Sequence, residues 1–298
     1  MKDQRVVILC GGRGSRLSPL TESIPKPLAV VQGRPILWYT FLTLYKHGFR
    51  RFIFPLGYKG ELIESFIRKE FEEYDCKIHF IDAGVDTSIA GRLKKSAKFI
   101  PAHADFFLLN GDTLFDFDIS SMFGEHRETK ALITLSSAGV VSNYGLIIEE
   151  AGRFVDFVRD SPVSSFSLGE NPKKTGYVNA GFAWINRDAL ELIDLEKSEN
   201  FEAELYSKVA KMGRAAHYRI KGDWFAIDTQ KDLKIVNLEV PARQEVGKIM
   251  KDRKKDLSSR YTYQTRYFSD LNELKKNILN KSVIPHQVEI QPGPMKGS

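Results

Sequence analysis

A short apolar segment at residues 6–9 (Val-Val-Ile-Leu) runs directly into a loop that carries glycines at positions 11, 12 and 14. The segment predicts a buried strand, and the glycines allow backbone N–H groups to approach a chain of phosphates closely. Arg13 and Arg16 add positive charge to the same loop. A strand that ends in such a loop is typical of an α/β sheet, in which ligands bind at the carboxyl ends of the strands. The loop by itself is also compatible with an ordinary glycine turn.

The loop matches neither of the two common phosphate-binding patterns. It lacks the third glycine of the dinucleotide-binding fingerprint and the Gly-Lys-Ser/Thr end of a Walker A loop. Lys26, however, lies between Pro25 and Pro27, so a stiff backbone presents its ammonium group from a pre-formed turn. Backbone donors for the phosphates and cations for the charge that builds during transfer together favour a nucleoside triphosphate as ligand.

The first half of the chain alternates strand and helix patterns, which predicts a parallel sheet flanked by helices. The predicted strands are 6–9, 51–56, 77–81 and 106–110, and the predicted helices are 36–47, 61–71 and 89–99. The second half predicts a strand at 131–136, a hairpin of 144–148 with 154–158, a loop over 159–175, strands at 176–185, 215–220 and 224–227, and helices at 187–193 and 202–211.

Two of the predicted strands are followed by an aspartate. Asp112 comes after strand 106–110, and Asp228 comes after strand 224–227. Because carboxylates at strand ends are suited to bind Mg²⁺ on a triphosphate, we expect these two acids to form one metal site. The alternatives are a local turn cap for Asp112 and, for Asp228, an N-cap of the helix that begins at Gln230.

Composition limits the class of protein. The chain has 298 residues, of which 42% are hydrophobic and 28% charged, as expected of a globular enzyme. No apolar run reaches the roughly 18 residues that span a bilayer, so we expect no membrane span. Only two cysteines are present, Cys10 and Cys76, which favours a reducing, cytoplasmic location with both residues acting as small buried side chains.

The net charge of +6 is concentrated near the C-terminus. Residues 243–281 contain 11 Lys and Arg against 5 Asp and Glu, so this segment accounts for the whole excess. The remainder is neutral and shows no basic face with interleaved aromatic residues, which argues against nucleic acid as a partner. The six histidines form no pattern typical of a catalytic or metal-binding cluster.

The run from Gly11 to Leu17, Gly-Gly-Arg-Gly-Ser-Arg-Leu, followed by Pro25-Lys26-Pro27, resembles the signature of the sugar-1-phosphate nucleotidyltransferases. Residues 33–38 (Gly-Arg-Pro-Ile-Leu-Trp) are also similar to this family, and residues 57–60 (Gly-Tyr-Lys-Gly) and 86–94 (Asp-Thr-Ser-Ile-Ala-Gly-Arg-Leu-Lys) are similar to its glucose-1-phosphate cytidylyltransferase branch. The likeness runs from residue 5 to about 240. It implies a Rossmann-like α/β fold with a mixed, mostly parallel central sheet flanked by helices.

The resemblance implies that the chain is divided into two parts, and it assigns roles to individual residues. Residues 1–240 would form the nucleotidyltransferase domain, and 241–298 a basic extension with a short helix at 270–279 that docks on the core or on a neighbouring subunit. The nucleotide would contact Leu9, Gly11, Gly12, Gly14, Thr87, Ser88, Gly91 and Asp112. The catalytic cations would be Arg16 and Lys26, the Mg²⁺ ligands Asp112 and Asp228, and the acceptor ligands Tyr144, Gly145, Arg159, Asn179 and Gly181.

The implied reaction is transfer of CMP from CTP to a sugar 1-phosphate in a Mg²⁺-dependent homo-oligomer, for surface-polysaccharide synthesis. One departure concerns the acceptor: where the family has Glu-Lys-Pro, residues 157–162 read Phe-Val-Arg-Asp-Ser-Pro. Arg159 holds a phosphate differently from lysine. Three classes of acceptor are therefore possible: a heptose phosphate, another hexose phosphate, or a non-sugar phosphate or phosphonate. For the nucleotide, GTP is the second choice after CTP. Two other classes of protein are alternatives to this enzyme: a regulatory paralogue that binds sugar nucleotides and, as the last choice, a dinucleotide-dependent oxidoreductase.

Overall fold

The computed structural model describes residues 1–141, 146–150, 153–158, 162–163, 165–167, 175–195 and 200–239. In chain order its strands are β1 (Arg5–Leu9), β2 (Val30–Val31), β3 (Arg34–Pro35), β4 (Arg51–Leu56), β5 (Lys77–Asp82), β6 (Asp105–Asn110), β7 (Thr113–Phe117), β8 (Ile133–Ala138), β9 (Val140–Val141), β10 (Leu146–Glu150), β11 (Arg153–Val158), β12 (Pro162–Val163), β13 (Phe166–Ser167), β14 (Thr175–Gly176), β15 (Val178–Asn186), β16 (Ala215–Arg219) and β17 (Gly222–Ala226).

The α-helices are α1 (Ile36–Lys46), α2 (Gly60–Phe71), α3 (Ile89–Ser96), α4 (Ile119–Glu128), α5 (Phe201–Lys211) and α6 (Gln230–Glu239). Short 3₁₀ turns occur at Ser15–Leu17, Leu20–Glu22, Lys26–Leu28, Ala97–Phe99 and Arg187–Leu192. None of the helices in the described residues combines the length and the apolar composition that a membrane span requires.

Seven strands form the central sheet, in the order β16-β8-β15-β6-β1-β4-β5. Four of the six strand pairs are parallel, and β15 runs antiparallel to both of its neighbours, β6 and β8. Alternate side chains of β1 enter different clusters: Val6 and Ile8 pack with α1 and α2, whereas Val7 packs with α3 and α5. Both faces of the sheet are therefore covered, as its apolar strands require. The predicted α/β fold with a mixed, mostly parallel sheet is confirmed.

The register of β1 and β6 positions the first part of the site. The two strands are parallel neighbours in which Leu9 lies beside Asn110. Their carboxyl ends therefore meet, and the backbone N–H of Gly111 donates to the carbonyl oxygen of Leu9 at 3.0 Å. As a result, the glycine loop after β1 and Asp112 after β6 lie at the same point of the sheet edge.

A second, two-stranded pairing positions Asp228. Strand β17 runs antiparallel to β7, and Ala226 lies beside Thr113. Because Thr113 directly follows Asp112 and Asp228 comes two residues after Ala226, this register places the two acids next to each other. The sequence patterns predicted a strand at 224–227 but not its partner β7, nor the helix α4 that follows it.

Several predicted boundaries were wrong. The helix expected over 89–99 is α-helical only to Ser96, and the helix expected over 187–193 is a 3₁₀ turn. The loop expected over 159–175 contains β12, which pairs with β9, and β13, which pairs with β14. Strands of two residues have no periodicity, so the Ser- and Pro-rich composition hid them. Cys10 is buried as predicted, but Cys76 is only half-buried; both are free thiols.

Candidate active site

Lys26 lies at the centre of the site. The 3₁₀ turn Lys26–Leu28 presents its side chain, which is only 10% exposed, to two carboxylates. The Nζ atom lies 2.7 Å from Oδ2 of Asp112 and 2.6 Å from Oδ1 of Asp228. The structure therefore brings Lys26 to the two acids that were predicted to lie together, although the three residues come from positions 26, 112 and 228 of the chain.

The electrostatics of this cluster follow from burial and pairing. Burial by itself would lower the pKa of the Lys26 ammonium, but the carboxylates of Asp112 and Asp228 outweigh it, so the pKa is raised. For Asp228, burial would raise the pKa, but the Lys26 hydrogen bond and charge and the nearby Arg16 lower it. Lys26 therefore stays cationic and Asp228 anionic at neutral pH.

Asp228 is not the N-cap of the helix that follows it. Thr229 takes that role: its Oγ1 accepts from the backbone N–H of Asp232 at 3.2 Å, and the Asp232 carboxylate accepts from the N–H groups of Thr229 (2.7 Å) and Asp228 (3.1 Å). This is a capping box at the start of α6. The capping alternative for Asp228 was wrong, and its carboxylate is left to contact Lys26 and Arg16.

The two carboxylates fit a magnesium ion. Both reach one ammonium group, so a single cation contacts both, and carboxylate oxygens are ligands that Mg²⁺ prefers. No group of three or more His, Cys, Asp or Glu in the described part of the chain could hold a metal. Two carboxylates together with phosphate oxygens of a substrate are a usual Mg²⁺ ligand set.

The glycine loop is fastened to the lysine turn. Gly14 has a left-handed backbone conformation with φ of +62°, and a Cβ added there would lie 2.9 Å from the Cβ of Lys26. Its carbonyl oxygen accepts from Oγ1 of Thr21 at 3.0 Å. Only glycine combines this conformation with this approach. Gly12, by contrast, faces open space.

The two loop arginines lie on the solvent side. Arg16 is 76% exposed and reaches Asp228 with an Nη1 to Oδ2 distance of 3.2 Å. Arg13 pairs with Asp86 at 3.2 Å, and both side chains are largely exposed. Exposed pairs of this kind contribute little to stability, about 1 kcal/mol or less. Little free energy is therefore lost when either arginine leaves its ion pair to contact a bound anion.

Thr87, Ser88 and Gly91 lie together at the start of α3, and each has a structural partner. The hydroxyl of Thr87 bonds the carbonyl oxygen of Ala83. Ser88 is the N-cap of α3, and its Oγ accepts from the N–H of Gly91 at 3.2 Å. The predicted contact of these residues with base and ribose stays a prediction.

Asn179 and Gly181 line a cavity of about 100 Å³ next to Leu9. The Oδ1 of Asn179 accepts from the N–H of Gly181 at 3.0 Å, and its Nδ2 lies 3.5 Å from Oε1 of Glu202. Burial raises the pKa of Glu202. Asn110 and Tyr206 complete the polar part of the lining. The other predicted acceptor ligands, Tyr144, Gly145 and Arg159, lie outside the described residues.

Sequence reasoning missed Arg92 and Glu202. Arg92 is 4% exposed and donates to backbone carbonyls of several loops, including Gly11 at 3.2 Å and Leu56 at 3.0 Å. Its signal was a single arginine on the face of α3 that also carries Leu93 and Ser96, both buried. Glu202 had no local signal, since an acid in the first turn of a helix is ordinary.

Comparison with known proteins gives a consistent result. The family model described as nucleotidyl transferase matches residues 5–242. A relative from Bacillus subtilis (strain 168), described as probable glucose-1-phosphate cytidylyltransferase, is 33% identical over 264 residues, which cover 82% of this chain and 99% of the relative. A D-glycero-alpha-D-manno-heptose 1-phosphate guanylyltransferase from Campylobacter jejuni is 29% identical over 70% of this chain and 87% of its own length.

A solved structure shows the same fold. The UTP-bound UGPase from Acinetobacter baumannii matches with a TM-score of 0.61 and 18% identity, and the match covers 87% of this chain and 100% of that one. At this identity the likeness concerns the fold alone.

Proposed function

Since the chain belongs to the nucleotidyl transferase family and is an enzyme of the sugar-1-phosphate type, we propose that it transfers CMP from CTP to a sugar 1-phosphate and releases pyrophosphate. The observation that carries this proposal is the Lys26 ammonium between Asp112 and Asp228, at the base of the glycine loop. A regulatory paralogue without catalysis would be expected to have lost the lysine or one of the acids. All three are present.

The proposed chemistry is one in-line displacement. An oxygen of the acceptor phosphate forms a bond to the α-phosphorus of the nucleotide, the bond from that phosphorus to the pyrophosphate breaks, and the electron pair leaves with pyrophosphate. An ionised phosphate needs no general base, so the protein contributes positioning and charge. Lys26, Arg16 and the loop N–H groups stabilise the charge on the phosphate oxygens. Asp112 and Asp228 would hold a Mg²⁺ ion, which would supply further positive charge to the phosphates.

The choice of nucleotide rests on likeness. Residues 57–60 and 86–94 are similar to the cytidylyltransferase branch, and the relative from Bacillus subtilis carries that description. CTP is therefore the proposed donor. GTP is second, because the relative from Campylobacter jejuni is described as a guanylyltransferase that acts on a heptose 1-phosphate.

The acceptor is proposed to differ from plain glucose 1-phosphate. Residues 157–162 lack the lysine that the family uses at that position, and Arg159 stands in the segment instead. A lost phosphate-binding charge costs about 2–4 kcal/mol when nothing replaces it. A heptose phosphate or another hexose phosphate is the first candidate, and a non-sugar phosphate or phosphonate is the alternative.

Pyrophosphate release tests the proposal. Each of the four nucleoside triphosphates is combined with a panel of sugar and non-sugar phosphates, in Mg²⁺ and in EDTA. We expect release with one donor–acceptor pair, loss of release in EDTA, and a fall of at least about a thousandfold in kcat/KM for Lys26→Ala, because the variant loses a preorganised charge at the reacting phosphate.

Lys77→Ala is the matched control. Lys77 is exposed at the start of β5, at the opposite edge of the sheet from the strand ends that form the site. Its kinetics should match the wild type. If no pair releases pyrophosphate, or if Lys26→Ala retains full activity, the proposed reaction is wrong.

Three broader proposals follow from the resemblance. The product would enter surface-polysaccharide synthesis, the enzyme would act in the cytoplasm, and the chain would form a homo-oligomer to which residues 241–298 contribute a contact. Those residues and the helix expected at 270–279 lie outside the described part of the chain. The molar mass measured by light scattering tests whether the chain forms a homo-oligomer. Identification of the sugar nucleotide that the enzyme produces tests the proposed role in surface-polysaccharide synthesis.

A further inference from the structure

Arg92 connects three loops at the edge of the nucleotide site. Its guanidinium is buried and donates to Gly11 of the glycine loop (3.2 Å) and to Leu56 at the end of β4 (3.0 Å). The same side chain donates to Thr87, Gly84 and Val85, at 3.0, 3.0 and 3.1 Å, all in the loop that leads into α3. One side chain therefore fixes the ends of β1, β4 and β5 to one another.

The backbone leaves room for this guanidinium. A Cβ added at Gly11 or at Gly57 would overlap the guanidinium nitrogens of Arg92. Both glycines have negative φ, so their lack of a side chain serves the close approach of Arg92 and not an unusual conformation. The glycine at position 11 is thus explained by a residue 81 positions away in the chain.

The inward carbonyls determine where the neighbouring N–H groups point. The Gly11 carbonyl accepts from Arg92 and from the backbone N–H of Tyr58, at 3.1 Å, so it is directed into the protein. In a planar trans peptide the C=O and the following N–H point in opposite directions. The N–H of Gly12 is therefore directed away from the Arg92 guanidinium, and Gly12 itself is exposed. The same argument applies to Thr87 and the N–H of Ser88.

Arg92 also brings an unpaired charge to this position. No acidic side chain among the described residues lies within ion-pair distance of its guanidinium. Burial lowers the pKa of Arg92, but a guanidinium keeps its proton in proteins. A buried cation whose partners are carbonyl dipoles alone adds positive potential to the loop above it.

We propose that Arg92 is a positioning residue of the nucleotide site: it holds the carbonyls of Gly11, Gly84, Val85 and Thr87 inward and so presents the N–H groups of Gly12 and Ser88 to the nucleotide. The proposal rests on the proposed function in that the ligand is a nucleoside triphosphate. It predicts that Arg92 affects the nucleotide and not the acceptor.

Arg92→Lys tests this, because lysine keeps the charge but offers fewer donors and cannot reach three loops at once. We expect the KM for the nucleotide to rise about 10- to 100-fold, as misplaced positioning groups do, with the acceptor KM within about twofold. In the free protein, amide hydrogen exchange should accelerate in residues 10–14 and 84–88 and stay unchanged in the central strands β1 and β6.

Arg34→Lys is the matched control. Arg34 is equally buried, at 4% exposure, and pairs with Glu70 at 3.2 Å away from these loops. A lower melting temperature with an unchanged nucleotide KM is expected for it. A folded Arg92→Lys protein with the wild-type nucleotide KM, or with an equal rise in both KM values, overturns the proposal.

Gly57→Ala gives a second route to the same defect, because the added methyl group displaces the Arg92 guanidinium. We expect it to raise the nucleotide KM, and to raise it less when Arg92 is already lysine, since the two changes remove one interaction. Full additivity contradicts the proposal. If the wild type transfers nothing, the proposed reaction fails, while the exchange rates of residues 10–14 and 84–88 still decide the role of Arg92.

Discussion

At the scale of single residues, Glu202 is our candidate for a residue that binds the proposed acceptor. Its carboxylate lies at a small cavity beside Asn179 and Tyr206, and burial raises its pKa. A carboxylate accepts hydrogen bonds from hydroxyl groups, and charged acceptors make stronger bonds than neutral ones. A polyhydroxylated acceptor would therefore bind here through its sugar hydroxyls.

Glu202→Gln should raise the KM of a sugar phosphate about 10- to 100-fold and leave the KM of the nucleotide unchanged, because hydrogen bonds to a charged group contribute about 1.5–3 kcal/mol. Steady-state kinetics with each substrate varied in turn measures both constants. Glu204→Gln is the control, since Glu204 lies on the same helix but lines a different cavity. An unchanged acceptor KM for Glu202→Gln would exclude this role.

The predictability of the site differs from residue to residue. Lys26, Asp112 and Asp228 each had a local pattern, a Pro-Lys-Pro turn or an acid after an apolar strand. The structure places the Lys26 ammonium within 2.7 Å of both carboxylates. Arg92 had only one weak signal, its place on the buried face of α3, and Glu202 had none, because the surroundings of both are formed by segments far apart in the chain. Local patterns therefore predicted the three residues of the Lys26 cluster and missed residues whose surroundings come from long-range packing.

At the scale of secondary-structure elements, β6 is anchored at both ends. Asp112 follows its carboxyl end, and Asp105 at its start accepts from Nδ2 of Asn186 on β15 (2.8 Å) and from Arg127 on α4 (3.3 Å). His126 lies 3.4 Å from the same carboxylate. Burial would raise the pKa of Asp105, but its hydrogen bonds with His126, Asn186 and Arg127 outweigh burial and lower the pKa below the ordinary value of an aspartate.

Asp105→Asn should therefore lower the free energy of unfolding by about 2–3 kcal/mol at pH 6. A depressed folded-state pKa contributes stability above the unfolded-state value, and that contribution is lost as the pH falls through the folded-state value. We therefore expect the difference in free energy of unfolding between the variant and the wild type to stay constant from pH 6 to 5 and to become smaller below about pH 3.8. Urea unfolding at each pH measures this difference. Asp3→Asn, at an 85% exposed side chain, should show no such difference. A gap that widens on acidification would contradict the argument.

The elements that the sequence did not predict share a cause. Strand β7 begins one residue after Asp112 and exists because β17, more than 100 residues later, pairs with it. Pairings of this range leave no trace in the periodicity of either segment. By contrast, strands β1, β4 and β6 are nearly continuous apolar runs. Helices α1, α2 and α5 begin and end within one or two residues of prediction.

At the scale of the whole molecule, a ligand at the proposed site would contact three segments that lie far apart in the described chain: the loop after β1, the end of β6 and the segment between β17 and α6. A nucleotide with Mg²⁺ should therefore stabilise the fold as a unit. At a concentration of 100 Kd the gain is about 2.7 kcal/mol, which raises the melting temperature of a chain of this size by about 5–10 °C.

Mg²⁺ without nucleotide should leave the melting temperature nearly unchanged, because the Lys26 ammonium already occupies both carboxylates. EDTA should remove most of the shift that CTP and Mg²⁺ produce together. Differential scanning fluorimetry of the wild type and of Lys26→Met tests whether Lys26 competes with the ion. If it does, the variant should bind Mg²⁺ more tightly than the wild type in the absence of nucleotide. A large shift from Mg²⁺ alone in the wild type would show that Lys26 does not compete with the ion.

The register of β7 with β17 also matters while the chain is being synthesised. Lys26 and Asp112 leave the ribosome early, but the segment that carries Asp228 follows about 116 residues later. Until β17 has emerged and paired, a nascent chain holds an ammonium group and a single carboxylate, with nothing to complete the cation site. We therefore expect ribosome-bound chains arrested before residue 228 not to bind the nucleotide. Nucleotide binding should begin only after the segment that carries Asp228 has been synthesised and β17 has paired with β7.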